Sequence, residues 1–333
     1  MKAAVVKAPR ELIITEVEQP KAEEGEVVVK VMACGVCGTD LHIYEGEFMA
    51  SYPIVMGHEF CGVVVDVGEG VSHISVGERV AIQPNVSCGI CEMCRRGRPN
   101  LCESMLAYGV HIDGGFAQFC VVRSENVFSI GDMSFEAGAF VEPLACCVNG
   151  VNAVDVGFGE RVLIFGSGPI GLLLAQLCKL RGAGEVVVVD LVEERLKIAS
   201  MLGLTALLSS EVEADKAIHV NSYEVVIDAT GSVNVIEGMP TFAKDGGRIL
   251  IFGVAPKDAF IRLSPFEVYR RELTITGAFS LGYDFDTALN LLKHGLIEID
   301  PLITHRMPLD ELERALEYKR RGVGMKVLIF PNE

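Results

Sequence analysis

The sequence is short of positive charge: 29 Lys plus Arg stand against 45 Asp plus Glu, a formal net charge of −16. Such a chain repels phosphate backbones and anionic membrane surfaces, so nucleic acid is not an expected partner. It has no apolar run of the ~20 residues that a membrane-spanning helix requires. The longest uncharged stretch, Val162 to Cys178, "VLIFGSGPIGLLLAQLC", is shorter and is broken by three glycines and a proline, so it reads as a buried strand followed by a buried helix. The N-terminal "MKAAVVKAPREL" has only four apolar residues between Lys2 and Lys7, too few for the hydrophobic region of an export signal, and a cytoplasmic location is expected. Nor is the number of cysteines even. Eleven of them, in 333 residues without an export signal, point away from a disulfide framework and toward reduced thiols or metal ligands. Internal repeats, low-complexity tracts and long flexible linkers are absent as well.

What is present divides by texture. Half of the 333 residues are hydrophobic, enough for two cored domains. Up to about residue 150, "GEVVVKVMACGVCG", "GVVVDVGEGVSHISVGERVAI" and "GGFAQFCVVRSENVFSI" read as short strands joined by glycine turns. Beyond Gly157, six nearly continuous apolar strands, "RVLIFG", "GEVVVVD", "ALLSS", "EVVIDAT", "GRILIFG" and "ELTITGAF", alternate with helical segments. That alternation predicts a doubly wound parallel sheet, and unbroken apolar runs are what strands buried on both faces require. Two further helices, "DFDTALNLLKHG" and "LDELERALEYKRRG", and a last strand, "KVLIF", follow Gly282.

"GSGPIG" places Gly166, Gly168 and Gly171 in a G-x-G-x-x-G pattern after the strand "RVLIF" and at the start of an apolar helix. A second strand ends on Asp190, 19 residues beyond Gly171. In this context the glycines serve a tight turn, close approach of a pyrophosphate and helix–strand packing, with the phosphate at the helix N-terminus. Asp190 is then expected to accept hydrogen bonds from an adenosine ribose. A 2'-phosphate would meet that carboxylate with no arginine immediately following, so NAD is predicted over NADP.

"NVSCGICEMCRRGRPNLC" carries Cys88, Cys91, Cys94 and Cys102 at spacings of three, three and eight. These thiolates suit one tetrahedral Zn(II), and four sulfurs close its shell, so this ion braces the fold and leaves no position for substrate. Other candidate ligands are Cys37 in "GVCGTDLH", His58 and Glu59 in "GHEF", and Glu142 in "FVEPLACC". None of these pairs has a self-sufficient metal spacing, and their residues alone leave a second metal open.

In order, "CGVCGTDLH", "GHEFCGVV", the four-cysteine lobe, "DGGFAQF", "EPLACC", "GSGPIG" and "PLITHRMPLDELERALE" resemble the zinc-containing medium-chain alcohol dehydrogenases, most closely their polyol (sorbitol) and threonine dehydrogenase branch. The resemblance covers essentially the whole chain. It implies an α/β fold in which residues 1–149 and 284–333 form a GroES-like β-rich catalytic domain bearing the structural-zinc lobe at about 85–103, and 150–283 form a Rossmann NAD-binding domain, with the active site in the cleft between them. It implies two zinc ions per subunit: the closed one at Cys88, Cys91, Cys94 and Cys102, and a catalytic one on Cys37, His58 and Glu142, with Glu59 either a ligand alternating with water or a neighbour of the ligands.

The resemblance also implies Ile170, Asp190 and Arg195 at the adenosine end of NAD, and Val254 and Phe279 at the nicotinamide. Thr39 and His42 are implied as a proton relay and Tyr44 as an aromatic wall for substrate. The implied reaction is reversible oxidation of a secondary alcohol, a sugar alcohol or vicinal diol, by hydride transfer, in a homodimer or homotetramer. The arginine that animal-type sorbitol dehydrogenases present to substrate hydroxyls is missing near "AFSLGY". An L-threonine 3-dehydrogenase is the alternative, disfavoured because Asn85 to Ser87 lacks a histidine. Lower alternatives are a non-catalytic NAD-binding redox sensor and a zinc-ribbon module resting on Arg95, Arg96 and Arg98. The other six cysteines read as core residues, with Cys146 and Cys147 as conceivable alternative ligands.

Overall fold

The computed structural model describes residues 1–48 and 50–333. The chain forms two compact units, one of Met1–Ala145, Leu281–Gly295 and Ile299–Glu333, the other of Cys146–Ser280 and Leu296–Glu298. The division falls at 145/146, inside the helix Val141–Val154, where the sequence had suggested 149/150, and the return falls at Leu281 where it had suggested 284.

The first unit is built on a seven-stranded sheet. Its order is Val127–Ser129, Arg79–Ile82, Glu59–Val67, Glu26–Gly35, Lys326–Phe330 and Ile303–Pro308, with Phe119–Arg123 also pairing with Glu26–Gly35. The sequence's last strand is therefore interior, between Glu26–Gly35 and Ile303–Pro308. Its five residues are all buried. Inward-facing Val27, Val29, Val31, Phe60, Val64 and Phe116 form the core of this unit. Full burial of one such side chain stabilises the fold by about 1.5–3 kcal/mol. A two-stranded ribbon, Asn85–Val86 with Leu106–Ala107, closes the base of the cysteine lobe.

In the second unit six parallel strands run in the order Thr205–Leu208, Glu185–Asp190, Arg161–Phe165, Tyr223–Asp228, Ala243–Ile251, Thr274–Gly277. All six strands read from the sequence are present, and the order is that of a Rossmann sheet. Val186 to Val189 are all buried, as two-sided covering by helices demands. The winding reverses between Arg161–Phe165 and Tyr223–Asp228, and the carboxyl ends of strands at such a switch point open a crevice for a ligand. No helix among the described residues is long and apolar enough to cross a membrane.

Candidate metal centre and cofactor loops

Cys37 is the extended N-cap of the helix Gly38–Glu45. Its backbone N–H donates to Asp40 Oδ2 at 2.7 Å, which fixes the ligand's backbone from within the first helical turn. In the sheet, Gly35 pairs directly with Glu59, bringing Cys37 beside the turn that carries His58. Gly57 makes that turn at φ +95°. A Cβ there would meet Cys34 Sγ at 2.8 Å and the Phe116 nitrogen at 2.9 Å, so only glycine fits.

The result is that one donor atom each from Cys37, His58 and Glu59 lies within 4.8 Å of the others. His58 Nδ1 faces Asp40 Oδ1 at 3.4 Å, which leaves Nε2 as the nitrogen available to a metal and Asp40 as a carboxylate that can orient the ring. Asp40 Oδ1 and His58 Nδ1 are buried without a well-aligned hydrogen bond. Buried polar atoms are rarely left so. A thiolate, an imidazole and a carboxylate gathered around such atoms fit Zn(II).

The electrostatics are dominated by two buried cationic groups. Burial disfavours charge on His58, but Asp40 and Cys37 overcome it and hold the imidazole well above the ordinary histidine value. Lys326 forms a buried ion pair with Glu59. Burial alone would lower its ammonium, and Glu59, Cys37 and Glu142 reverse that and raise it. Glu142, buried in the first turn of Val141–Val154, is not among the three converging donors and is coupled to them electrostatically through Lys326.

The other expected residues divide. Thr39 Oγ1 lies 3.9 Å from Cys37 Sγ, and half-exposed His42 pairs through Nδ1 with Glu47 at 2.8 Å. Tyr44 lies on a different face of that helix. Two residues along a helix is a rotation of about 200° from His42, and the ring enters the hydrophobic core while its hydroxyl donates to Glu313 at 3.1 Å in the helix Leu312–Arg321.

At the glycine-rich turn, Gly166 has φ +100°, and a Cβ at Gly168 would meet nothing within 4 Å, leaving an open cradle over the backbone before the helix Pro169–Leu180. That opening fits a pyrophosphate. A Cβ at Gly171 would strike the Gly166 carbonyl oxygen. Asp190 is more engaged than the sequence suggested: Oδ2 accepts the N–H and hydroxyl of Ser167 at 2.7 and 2.9 Å, and Oδ1 accepts the Leu191 and Val192 N–H groups at 2.7 and 2.9 Å. A ribose must share or displace these donors. Ile170's carbonyl accepts the buried Cys147 thiol at 3.8 Å. Arg195 is partly buried in the first turn of the helix Glu193–Met201. Val254 and Phe279, 71% and 54% exposed, follow the carboxyl ends of Ala243–Ile251 and Thr274–Gly277.

In the lobe, the four sulfurs of Cys88, Cys91, Cys94 and Cys102 lie within 4.8 Å of one another. Backbone N–H groups of Cys88 and Ser104 point at Cys102 Sγ at 3.3 and 3.4 Å. Amides of Cys94 and Glu103 pull the Cys91 thiol down to about 6, whereas burial pushes Cys94 up to about 11. Four converging sulfurs with amide donors fit a closed tetrahedral Zn(II).

Sequence reading missed Asp40 and Lys326. The signals for them were an acid three residues after Cys37, the capping-box spacing, and a lysine heading an otherwise apolar strand.

The alcohol dehydrogenase GroES-like domain model matches residues 23–132, and the zinc-binding dehydrogenase model matches residues 169–294. A D-altritol 5-dehydrogenase of Agrobacterium fabrum is 39% identical over 306 residues, covering 90% of each chain. A Sinorhizobium meliloti 1021 protein solved with NADP bound has a TM-score of 0.95 at 36% identity, covering 99% of both chains. An alcohol dehydrogenase of Escherichia coli CFT073 complexed with NADH has a TM-score of 0.92 at 34% identity, again over 99% of both. Likeness of this extent, carried over the full length of a GroES-like unit and a Rossmann sheet, makes the chain a member of the zinc-binding alcohol dehydrogenase family.

Proposed function

We propose that the chain is a zinc- and NAD-dependent dehydrogenase that reversibly oxidises a secondary alcohol of a polyol or vicinal diol to the ketone. The observation that carries this reading is the convergence of Cys37, His58 and Glu59 within 4.8 Å. Bound there, zinc supplies Lewis-acid polarisation of the alcohol oxygen, and NAD is the hydride acceptor. Cys37 and His58 hold the ion, Asp40 fixes the imidazole, and Glu59 and Glu142 are the carboxylates available to it. Thr39 would relay the alcohol's proton, releasing its own hydroxyl proton as it accepts that one, and His42 would take up the released proton through the cofactor ribose and pass it to solvent, with Glu47 holding Nδ1 so that Nε2 is the exchanging nitrogen.

Gly166, Gly168, Ile170 and Gly171 receive the pyrophosphate, Asp190 and Arg195 the adenosine end, and Val254 and Phe279 the nicotinamide. NAD is preferred because a 2'-phosphate would approach Asp190 with Glu193 and Glu194 following it. The four lobe cysteines hold a second, closed zinc. A cytoplasmic location keeps these thiolates reduced. A homo-oligomer is part of the reading, supported by the open edge strand Thr274–Gly277 and exposed Phe260, Phe266 and Tyr269 in the second unit.

The test is NAD reduction by a panel of pentitols, hexitols, vicinal diols and L-threonine, before and after zinc removal and restoration. Polyol oxidation that disappears with zinc and returns with it is expected. Turnover unaffected by metal removal contradicts the reading, and NAD binding without reduction by any alcohol favours a sensor.

A further inference from the structure

The central strand Tyr223–Asp228 ends on Asp228, a fully buried carboxylate level with Phe165 on one side and Ile251 on the other. Its backbone carbonyl accepts the Phe252 and Gly253 N–H groups at 3.1 and 3.0 Å. Oδ1 accepts the Thr230 N–H at 2.9 Å and the Thr230 hydroxyl at 2.6 Å, and the Gly231 N–H reaches both oxygens at 3.2 Å. Burying a carboxylate is costly unless donors surround it, and here one short loop supplies them. That loop touches both of its neighbours. A Cβ at Gly166 would meet Thr230 Cγ2 at 3.0 Å and the Ala229 carbonyl oxygen at 3.1 Å, so residues 229–230 pack on the glycine-rich turn. Gly231, at φ +70°, lies against Val254, whose carbonyl oxygen a Cβ there would meet at 2.3 Å. A Cβ at Gly253 would meet the Gly231 nitrogen at 2.1 Å and Asp228 Oδ2 at 2.7 Å. Val254 therefore has a pinned backbone under an exposed side chain.

We propose that Asp228 is a positioning residue for the nicotinamide end of the cofactor: by gathering the Thr230 and Gly231 donors, it fixes residues 229–231 as a spacer between the glycine-rich turn and the backbone of Val254. This rests on the NAD reading of the second unit, in which Gly166 and Gly168 receive the pyrophosphate and Val254 faces the nicotinamide. A cofactor that bridges the two must find them at one separation, and a preset separation spares the binding energy otherwise used to order the loop. The glycine-rich turn has anchors of its own, Gly166 N–H to the Val189 carbonyl at 2.8 Å and Ser167 to Asp190. Asp190 lies on the strand at the other side of Arg161–Phe165. Loss of Asp228 therefore falls on the Val254 side and spares the adenosine end.

The experiment titrates full-length wild type, D228N, G253A and T230V by calorimetry with NADH and with ADP-ribose, which carries the adenosine and pyrophosphate but no nicotinamide, and records the emission of bound NADH. D228N turns an amide donor toward the Gly231 N–H, and G253A wedges the two loops apart with the carboxylate kept. T230V removes only the hydroxyl donor at nearly constant shape, so the test stays open if the other variants fail to fold. As the competent loop arrangement becomes less populated, NADH binding should weaken about tenfold in D228N and G253A and about threefold in T230V. Emission of the bound NADH should shift toward that of the free cofactor, while ADP-ribose affinity stays within about twofold of wild type. NADH affinity within about twofold of wild type in the folded variants, or equal losses for NADH and ADP-ribose, overturn the proposal. Wild-type protein that binds neither ligand overturns the NAD reading itself, a distinct result.

Discussion

Asp40 offers the sharpest test of how the metal centre is held, because its two oxygens do different work. Oδ2 accepts the Cys37 N–H at 2.7 Å, and Oδ1 faces His58 Nδ1 at 3.4 Å. D40N retains an acceptor for the Cys37 amide while turning a donor toward the His58 ring, whereas D40A removes both. Losing the outer carboxylate of a ligand histidine costs ~10–100-fold in metal affinity, equivalent to about 1.4–2.8 kcal/mol. Both variants are expected to lose this amount. D40A additionally leaves the partly buried Cys37 N–H without an acceptor, a further loss of about 1 kcal/mol in folding stability. Zinc affinity by chelator competition and thermal melts of the metal-free proteins separate the two effects.

The metal-free protein also carries a pH signature. The folded pKa of His58 is raised, so its stabilising contribution is present below about 6.5 and disappears as pH rises through the raised value. D40N should flatten that decline. Zinc affinity in D40N within about twofold of wild type, with the pH slope unchanged, refutes the role assigned to Asp40.

Three other outcomes follow from the same geometry. C94S should release about one zinc equivalent per chain and make residues 85–107 the first site of proteolysis, while zinc at Cys37 is retained; emission spectroscopy and limited digestion check this. G171A places a methyl against the Gly166 carbonyl oxygen and should weaken NADH binding about tenfold or more, measured by cofactor fluorescence. Cys178 is pushed up to about 12 by burial, so its contribution to stability is intact below about 8.5 and is lost as pH rises toward that raised value. Urea midpoints should fall between pH 8.5 and 11, and less steeply in C178A, with Cys61 and Cys120 acting in the same sense.

Legibility in the sequence tracked how local each feature is. The parallel sheet was readable because "EVVVVD" and its five companions are apolar through their length, and two-sided burial imposes that pattern. The convergence of the cysteine lobe was readable because its four sulfurs fall within one short loop. Cys37 and His58 were not, since only the register that pairs Gly35 with Glu59 brings them together, and no short-range spacing encodes a register. Lys326 arrives from a strand at the far end of the sequence, placed by pairing with Cys34 and Gly35. Tyr44 turns away from His42 because two steps along a helix reverse the face, which the short spacing between them does not display. Asp190 was located correctly at a strand end. Its capture of Ser167 and two amides depends on how the glycine-rich turn folds back, which the hexapeptide pattern does not specify.

The interior position of Lys326–Phe330 in the first sheet sets a timetable for biosynthesis. Glu26–Gly35 leaves the ribosome early but waits for its partner while residues 146–325 are made, about 9–36 s at ordinary elongation rates. Throughout that interval Cys37, His58 and Glu59 are already translated while the cation that meets Glu59 is not. Nascent chains stalled before Lys326 should therefore differ from released protein in how they retain metal, and fusions that disturb the final strand should compromise the site without altering a single ligand.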